Sequence, residues 1–135
     1  SGFLAGLWLA PFVCEKESLL CKDHPDWLLQ ADGQPWCCGC NWSSFYALDI
    51  DHPEVQAYLK QVFDRVLQDW GFDLVKLDFL YGAAPFGNAR ESRAGRMQRA
   101  MALLRSWCGD KLILGCGVPV MPAFGIVDYC ALGVM

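Results

Sequence analysis

Apolar positions in this chain follow two patterns. In two long stretches they recur at three- and four-residue steps, and in several short ones they run almost unbroken. Val55, Leu59, Val62, Phe63, Val66, Leu67 and Trp70 keep the helical step, which puts them on one face of an amphipathic helix. Asp51 or His52 caps that helix, Pro53 and Glu54 suit its first turn, and Gly71 stops it. A second helix over residues 92–108 carries Met97, Ala100, Met101, Leu104 and Trp107 on its apolar side and closes at Gly109. The unbroken runs predict strands over residues 4–12, 45–50, 73–79, 112–114 and 126–130. Between them fall a polar loop at 15–18, a turn at 23–26 leading into a short extended piece, and a turn at 31–35. A Cys-rich loop at 36–44 reads as functional, and further loops occupy 81–91 and 119–125.

Strands that alternate with amphipathic helices mean βαβ units and a parallel sheet. The predicted strands end in chemically marked residues: Pro11-Phe12, Asp49, Lys76 with Asp78, Cys116 and Asp128. Marked residues at successive strand ends are the habit of a (β/α)₈ barrel active site. A full barrel takes about 250 residues. The expectation for these 135 residues is therefore an α/β chain, about half of a (β/α)₈ TIM barrel, with residues 1–135 a fragment of one catalytic domain.

Composition narrows the function classes. Hydrophobic residues make up 54% and charged residues 19%, enough apolar material for a core and too much for a disordered chain. The net charge of −4 and the lack of a basic run argue against nucleic acid and anionic membrane as partners. No apolar run is long enough to span a membrane. The first residues have no basic start, so no signal peptide is expected, and a chain that opens on Ser1 suggests a fragment or processed product. The eight cysteines include Cys108, Cys116 and Cys130 in apolar contexts, which suits reduced thiols of a cytoplasmic protein better than a disulfide framework. Cys37, Cys38 and Cys40 could make a soft metal site with Cys14 or Cys21. The spacing matches no paired C-x₂-C pattern, so neither metal nor other cofactor is expected.

Lys76 and Asp78 stand two residues apart in the apolar strand, so both point to one side of it. As a pair, the cation would hold the carboxylate ionised, as a covalent nucleophile requires. The alternative is a structural ion pair at a strand end.

Several segments in order carry a family resemblance: Gly6-Leu7-Trp8-Leu9-Ala10-Pro11-Phe12, His24-Pro25-Asp26-Trp27-Leu28-Leu29, Leu48-Asp49 with His52-Pro53-Glu54-Val55, Trp70 to Leu80 with its Lys-x-Asp, Leu114-Gly115-Cys116-Gly117-Val118-Pro119, and Gly125-Ile126-Val127-Asp128. In these the chain resembles glycoside hydrolase family 36, the α-galactosidases and their relatives. The resemblance implies a retaining glycosidase on a (β/α)₈ barrel, acting on α-galactoside oligosaccharides, and allows a homo-oligomer for the intact parent. It makes Asp78 the nucleophile, Lys76 a contact of sugar and nucleophile, and Cys116 and Gly117 contacts of the galactose hydroxyls. Trp8, Trp42 and Tyr81 could wall a sugar ring, against the blander reading of core aromatics.

Two departures stand out. Familiar members carry acidic residues around Ala10 and Phe12, where this chain is apolar. The family then reads Arg-Ile-Gly-x-Asp after the strand near Asp128, and that aspartate is its acid/base. Here the chain reads Ala131-Leu132-Gly133-Val134-Met135. A single lost base would explain this, since with suitable codons one restored C returns Arg-Ile-Gly-Arg-Asp-Val. Without that second carboxylic acid the chain should be crippled, unless Asp128 stands in. The alternatives to a hydrolase segment are a truncated, inactive or carbohydrate-binding remnant and a metal module on the Cys37–Cys40 cluster.

Overall fold

The computed structural model describes residues 5–39, 44–116 and 126–131. Strand β1 (Gly6–Leu9) ends at a turn through Pro11 and leads into β2 (Val13–Glu15). A short helix α1 (Leu19–Asp23) follows, with Ser18 Oγ accepting from the Cys21 N–H at 3.3 Å, and then a 3₁₀ turn at Pro25–Trp27. The hairpin β3 (Gln30–Ala31) and β4 (Gln34–Pro35) turns on Asp32 and Gly33, with φ of 53° and 78°. That is the backbone a tight hairpin needs, and an Asp-Gly pair is suited to it. Strands β5 (Cys37–Gly39) and β6 (Phe45–Ala47) precede helix α2 (Pro53–Asp64). His52 caps α2 through Nδ1, which accepts from the Glu54 N–H at 3.1 Å. The helix widens into a π-turn at Arg65–Asp69 before Gly71, at φ +73°, redirects the chain. Strand β7 (Leu74–Leu77), a 3₁₀ turn at Leu80–Ala83, helix α3 (Arg93–Cys108), β8 (Leu112–Cys116) and β9 (Tyr129–Ala131) complete the order.

Strands β1, β7, β8 and β9 lie side by side in that order, and every pairing is parallel. Val75, Leu77 and Ile113 point to one face and are fully buried under Val55, Leu59 and Phe63 of α2 and Ala100, Met101 and Leu104 of α3. The opposite face carries a row at one register level, Trp8, Lys76, Leu114 and Tyr129. It faces open space, with Trp8 46% and Tyr129 57% exposed. Parallel strands in sequential order, with helices on one face, form an arc of a (β/α)₈ barrel; four of eight strands is half of one.

Several expectations are corrected. The strand expected over 45–50 is outside the parallel sheet: β6 pairs antiparallel with β2 and β5 in a separate three-stranded sheet. Alternation of apolar residues does not distinguish the two pairings. Asp49 therefore does not end a barrel strand. Asp128 precedes β9 and stands at its start, hydrogen-bonded to Ile113. The loop expected at 36–44 contains β5, and its residues 40–43 are outside the described ones. The loop expected at 15–18 is a turn after β2, and α1 fills residues 19–23, for which no helix was expected.

Candidate active site at the ends of β1 and β7

The β1–β7 ladder runs from Gly6 with Leu74 to Leu9 with Leu77, and the Asp78 N–H extends it by donating to the Leu9 carbonyl at 2.9 Å. This fixes the backbone of Asp78 just past the strand. Its carboxylate accepts twice, from Trp8 Nε1 at 3.3 Å and from the Phe79 N–H at 2.8 Å. Phe79 adopts the left-handed backbone, φ 52° and ψ 36°, an unfavourable conformation for a bulky side chain. That conformation turns the Phe79 amide back onto the carboxylate and starts the 3₁₀ turn.

Helix α3 holds this turn from behind. Arg93 Nε donates to the Ala84 carbonyl at 2.8 Å and Arg96 Nε to the Ala83 carbonyl at 3.0 Å. Arg96, only 5% exposed, also reaches Asp49 at 3.1 Å and Asp51 at 2.5 Å. Arg99 joins Asp51 at 2.5 Å to Glu91 at 2.7 Å. Asp49 thus serves as an anchor for Arg96. An arginine within an amphipathic helix ordinarily reads as its wet face, so sequence reasoning missed this network. Its only signal was the Asp49-x-Asp51 pair of carboxylates ahead of a helix.

In front of the turn, Phe79 packs on Phe45 at 4.8 Å, on Tyr81 at 6.2 Å and edge-on to Trp8 at 6.5 Å. Burial, then Cys38 and the Asp78 charge, raises the Tyr81 phenol above its ordinary pKa. A pocket of about 270 Å³ opens here, lined by Trp8, Ala10, Val13, Glu15, Phe45 and Phe79. An apolar cleft with few polar groups, beside a positioned carboxylate, suits a small ligand with both apolar and hydroxylated faces.

Of the residues singled out from sequence, Trp8 and Asp78 are in contact. Lys76 is exposed in the same open row as Trp8, and among the described residues it makes no ion pair with Asp78. The carboxylate takes N–H donors in place of the expected ammonium, because the chain turns at Phe79 immediately after it. Cys116 is buried one residue past the Leu77–Gly115 pair, level with Asp78 on the next strand. Gly117 and Trp42 are outside the described residues. Asp128 sits away from this end of the sheet. Its carboxylate accepts from the Ile113 N–H at 2.9 Å and Arg105 at 3.0 Å, and these bonds, the Ile113 one foremost, lower its pKa. At the start of β9 and bonded in this way, Asp128 is placed as an anchor between β8 and α3.

Among the described residues no group of three thiols comes close enough to hold a metal ion, and Cys40 of the expected cluster is outside those residues. Burial, then Cys21, pushes Cys14 up to about 12, and burial, then Cys37, does the same to Cys38. The group with three ligand atoms within 4.8 Å of one another is Asp26, His52 and Glu54. His52 Nδ1 is used as the helix cap, so the neutral ring carries its proton on Nε2, which faces Asp26 at 3.3 Å. Glu54 accepts from Trp27 Nε1 at 3.0 Å.

The model of the family described as Melibiase matches residues 1–106. The chain belongs to the melibiase family. Among curated relatives it is 34% identical over 74 residues to the probable α-galactosidase C of Aspergillus flavus, which covers 55% of this chain and 10% of that protein. It is 31% identical over 77 residues to α-galactosidase Mel36A of Lactobacillus acidophilus, again 10% of that protein. Among solved structures, the Thermus thermophilus α-galactosidase in complex with stachyose superposes with a TM-score of 0.82 at 39% identity, over 96% of this chain and 28% of that one. This melibiase-family chain therefore spans about a quarter of that enzyme's length and a tenth of the curated relatives. At 19% identity and a TM-score of 0.66, the Lactobacillus brevis α-galactosidase supports the shared fold alone.

Proposed function

We propose that this chain forms part of the catalytic domain of a retaining α-galactosidase, with Asp78 as its nucleophile. The carrying observation is the Asp78 carboxylate, held at the sheet end by Trp8 Nε1 and the Phe79 N–H beside an aromatic pocket. The 39% identity to the T. thermophilus enzyme, whose complexes hold stachyose and p-nitrophenyl α-D-galactopyranoside, supports α-galactosides as the substrate class. Asp78 attacks the anomeric carbon as the glycosidic C–O bond breaks, giving a galactosyl ester. A second carboxylic acid, about 5–5.5 Å away, protonates the departing oxygen and then activates the water that cleaves the ester. We assign that acid to a part of the catalytic domain beyond this chain, Asp128 being held as an ionised anchor. Lys76, in the open row beside Trp8, and Cys116 on the next strand contact the sugar in this reading, and the family resemblance extends these roles to Gly117 and Trp42, outside the described residues.

The test is Asp78→Asn in the full-length protein, with aryl α-galactosides as substrates. Turnover should fall by roughly 10³-fold or more, as for loss of a nucleophile. An activated fluoro-galactoside should label Asp78 in the unsubstituted protein. Turnover that survives the substitution would refute the assignment.

A further inference from the structure

The pocket beside Asp78 is lined in part by a residue that the nucleophile assignment does not use. Val13 and Glu15 stand two residues apart on β2 and both line the pocket, while Cys14 between them points into the core. Glu15 is the one ionisable group in that lining among the described residues. Its backbone is fixed: β2 pairs Glu15 with Phe45, and the Glu15 carbonyl accepts from the Ser18 N–H at 3.0 Å and Ser18 Oγ at 2.6 Å. The residue therefore stands on an ordered strand, and the pocket it lines also has aromatic walls.

We propose that Glu15 is a sugar-binding, specificity-determining residue, whose carboxylate accepts hydrogen bonds from hydroxyls of a galactose ring standing against Trp8 and Phe79. A hexose has an apolar C–H face and a hydroxyl edge. Aromatic walls suit the first, and a carboxylate, an acceptor with two oxygens, suits the donors of the second. The cavity of about 270 Å³ is close to the roughly 300 Å³ lower end of small-ligand sites. Ala10 and Val13 supply small apolar wall. Glu15 thereby provides the hydroxyl recognition that the apolar side chains at Ala10 and Phe12 do not. The proposal rests on the α-galactoside reading of the Asp78 site.

The test is calorimetric binding of galactose and its monodeoxy analogues to the full-length protein, unsubstituted and with Glu15→Gln or Glu15→Ala. Glu15→Ala should weaken galactose binding roughly 10–100-fold, the usual loss for a hydrogen bond to a charged group. The unsubstituted protein should discriminate against the analogue lacking the contacted hydroxyl, and Glu15→Ala should bind that analogue as well as it binds galactose. Glu15→Gln, which keeps one acceptor oxygen, should fall between. Unchanged discrimination in Glu15→Ala overturns the proposal. A uniform loss for every sugar also overturns it, since that is the signature of a structural defect. Failure of the nucleophile reading shows separately, as turnover that survives Asp78→Asn while the Glu15-dependent discrimination persists.

Discussion

Trp8 on β1 donates its indole N–H to the Asp78 carboxylate at the end of β7, at 3.3 Å. The bond ties together two strands 70 residues apart in sequence and aims one carboxylate oxygen. Trp8→Phe keeps an aromatic ring and removes the donor. On the α-galactosidase reading proposed above, turnover of aryl α-galactosides by the full-length protein should fall roughly 10-fold, mostly in kcat, because the lost bond orients a reacting group. Steady-state kinetics that show only a raised KM would mean that the ring binds sugar and the N–H does not position Asp78.

Arg96 is buried and supplies the Ala83 carbonyl, Asp49 and Asp51 together. Arg96→Met fills similar space without the charge. The two aspartates are partly exposed and can regain water, so the cost should sit below the 3–5 kcal/mol of a fully buried broken pair, at about 2–3 kcal/mol. Urea denaturation reads it as a lower midpoint with an unchanged slope.

Acid should loosen the same region. Burial alone would raise the Asp51 carboxyl, but hydrogen bonds from Arg99 and Arg96 outweigh it and hold the group below its ordinary range. The Ile113 N–H, then Arg105, do the same for Asp128. A carboxyl whose folded pKa is depressed adds stability above its unfolded pKa, and that stability is lost as pH falls through the folded value. Melting temperature should hold between about pH 5 and 7 and fall below about pH 4. Arg99→Met should lower it at neutral pH, and the gap to the unsubstituted protein should close as pH falls. A gap that stays constant down to about pH 2 would contradict the linkage.

Gly82 lies in the turn behind Phe79, where an added Cβ would come within 2.6 Å of Val13 Cγ1 and 3.3 Å of the Phe12 carbonyl. Valine is stiff and the carbonyl belongs to the backbone, so neither yields cheaply. Gly82→Ala should cost about 1–3 kcal/mol, as overpacking does. Because Val13 also lines the pocket, the galactose affinity proposed above for the full-length protein should drop with it; melting temperature and calorimetry together check both.

The sequence was most informative where local chemistry and burial agree. Helix α2 carried its cap, its Pro53 and its stop at Gly71, and β7 announced itself by Leu74, Val75 and Leu77. Parallel sheet and partial barrel followed from the alternation of elements. Pairing partners did not, because β6 has the composition of a barrel strand and pairs antiparallel with β2. Five-residue α1 is too short for periodicity to register. At the site, Asp78 and Trp8 were legible as residue types, but the Lys76–Asp78 spacing suggested a pair that the turn at Phe79 replaces with N–H donors. Glu15 looked like loop polarity until β2 placed it in the pocket wall.

Arg96 also carries a consequence for the order of assembly. Its partners Asp49 and Asp51 lie 47 and 45 residues before it. The contacts therefore close a long loop, at an entropic cost that local contacts do not carry. A turn held by such contacts is expected to become rigid late in folding. Arg96→Met should accelerate unfolding in stopped-flow measurements and leave the refolding rate nearly unchanged, as expected for an interaction absent from the transition state.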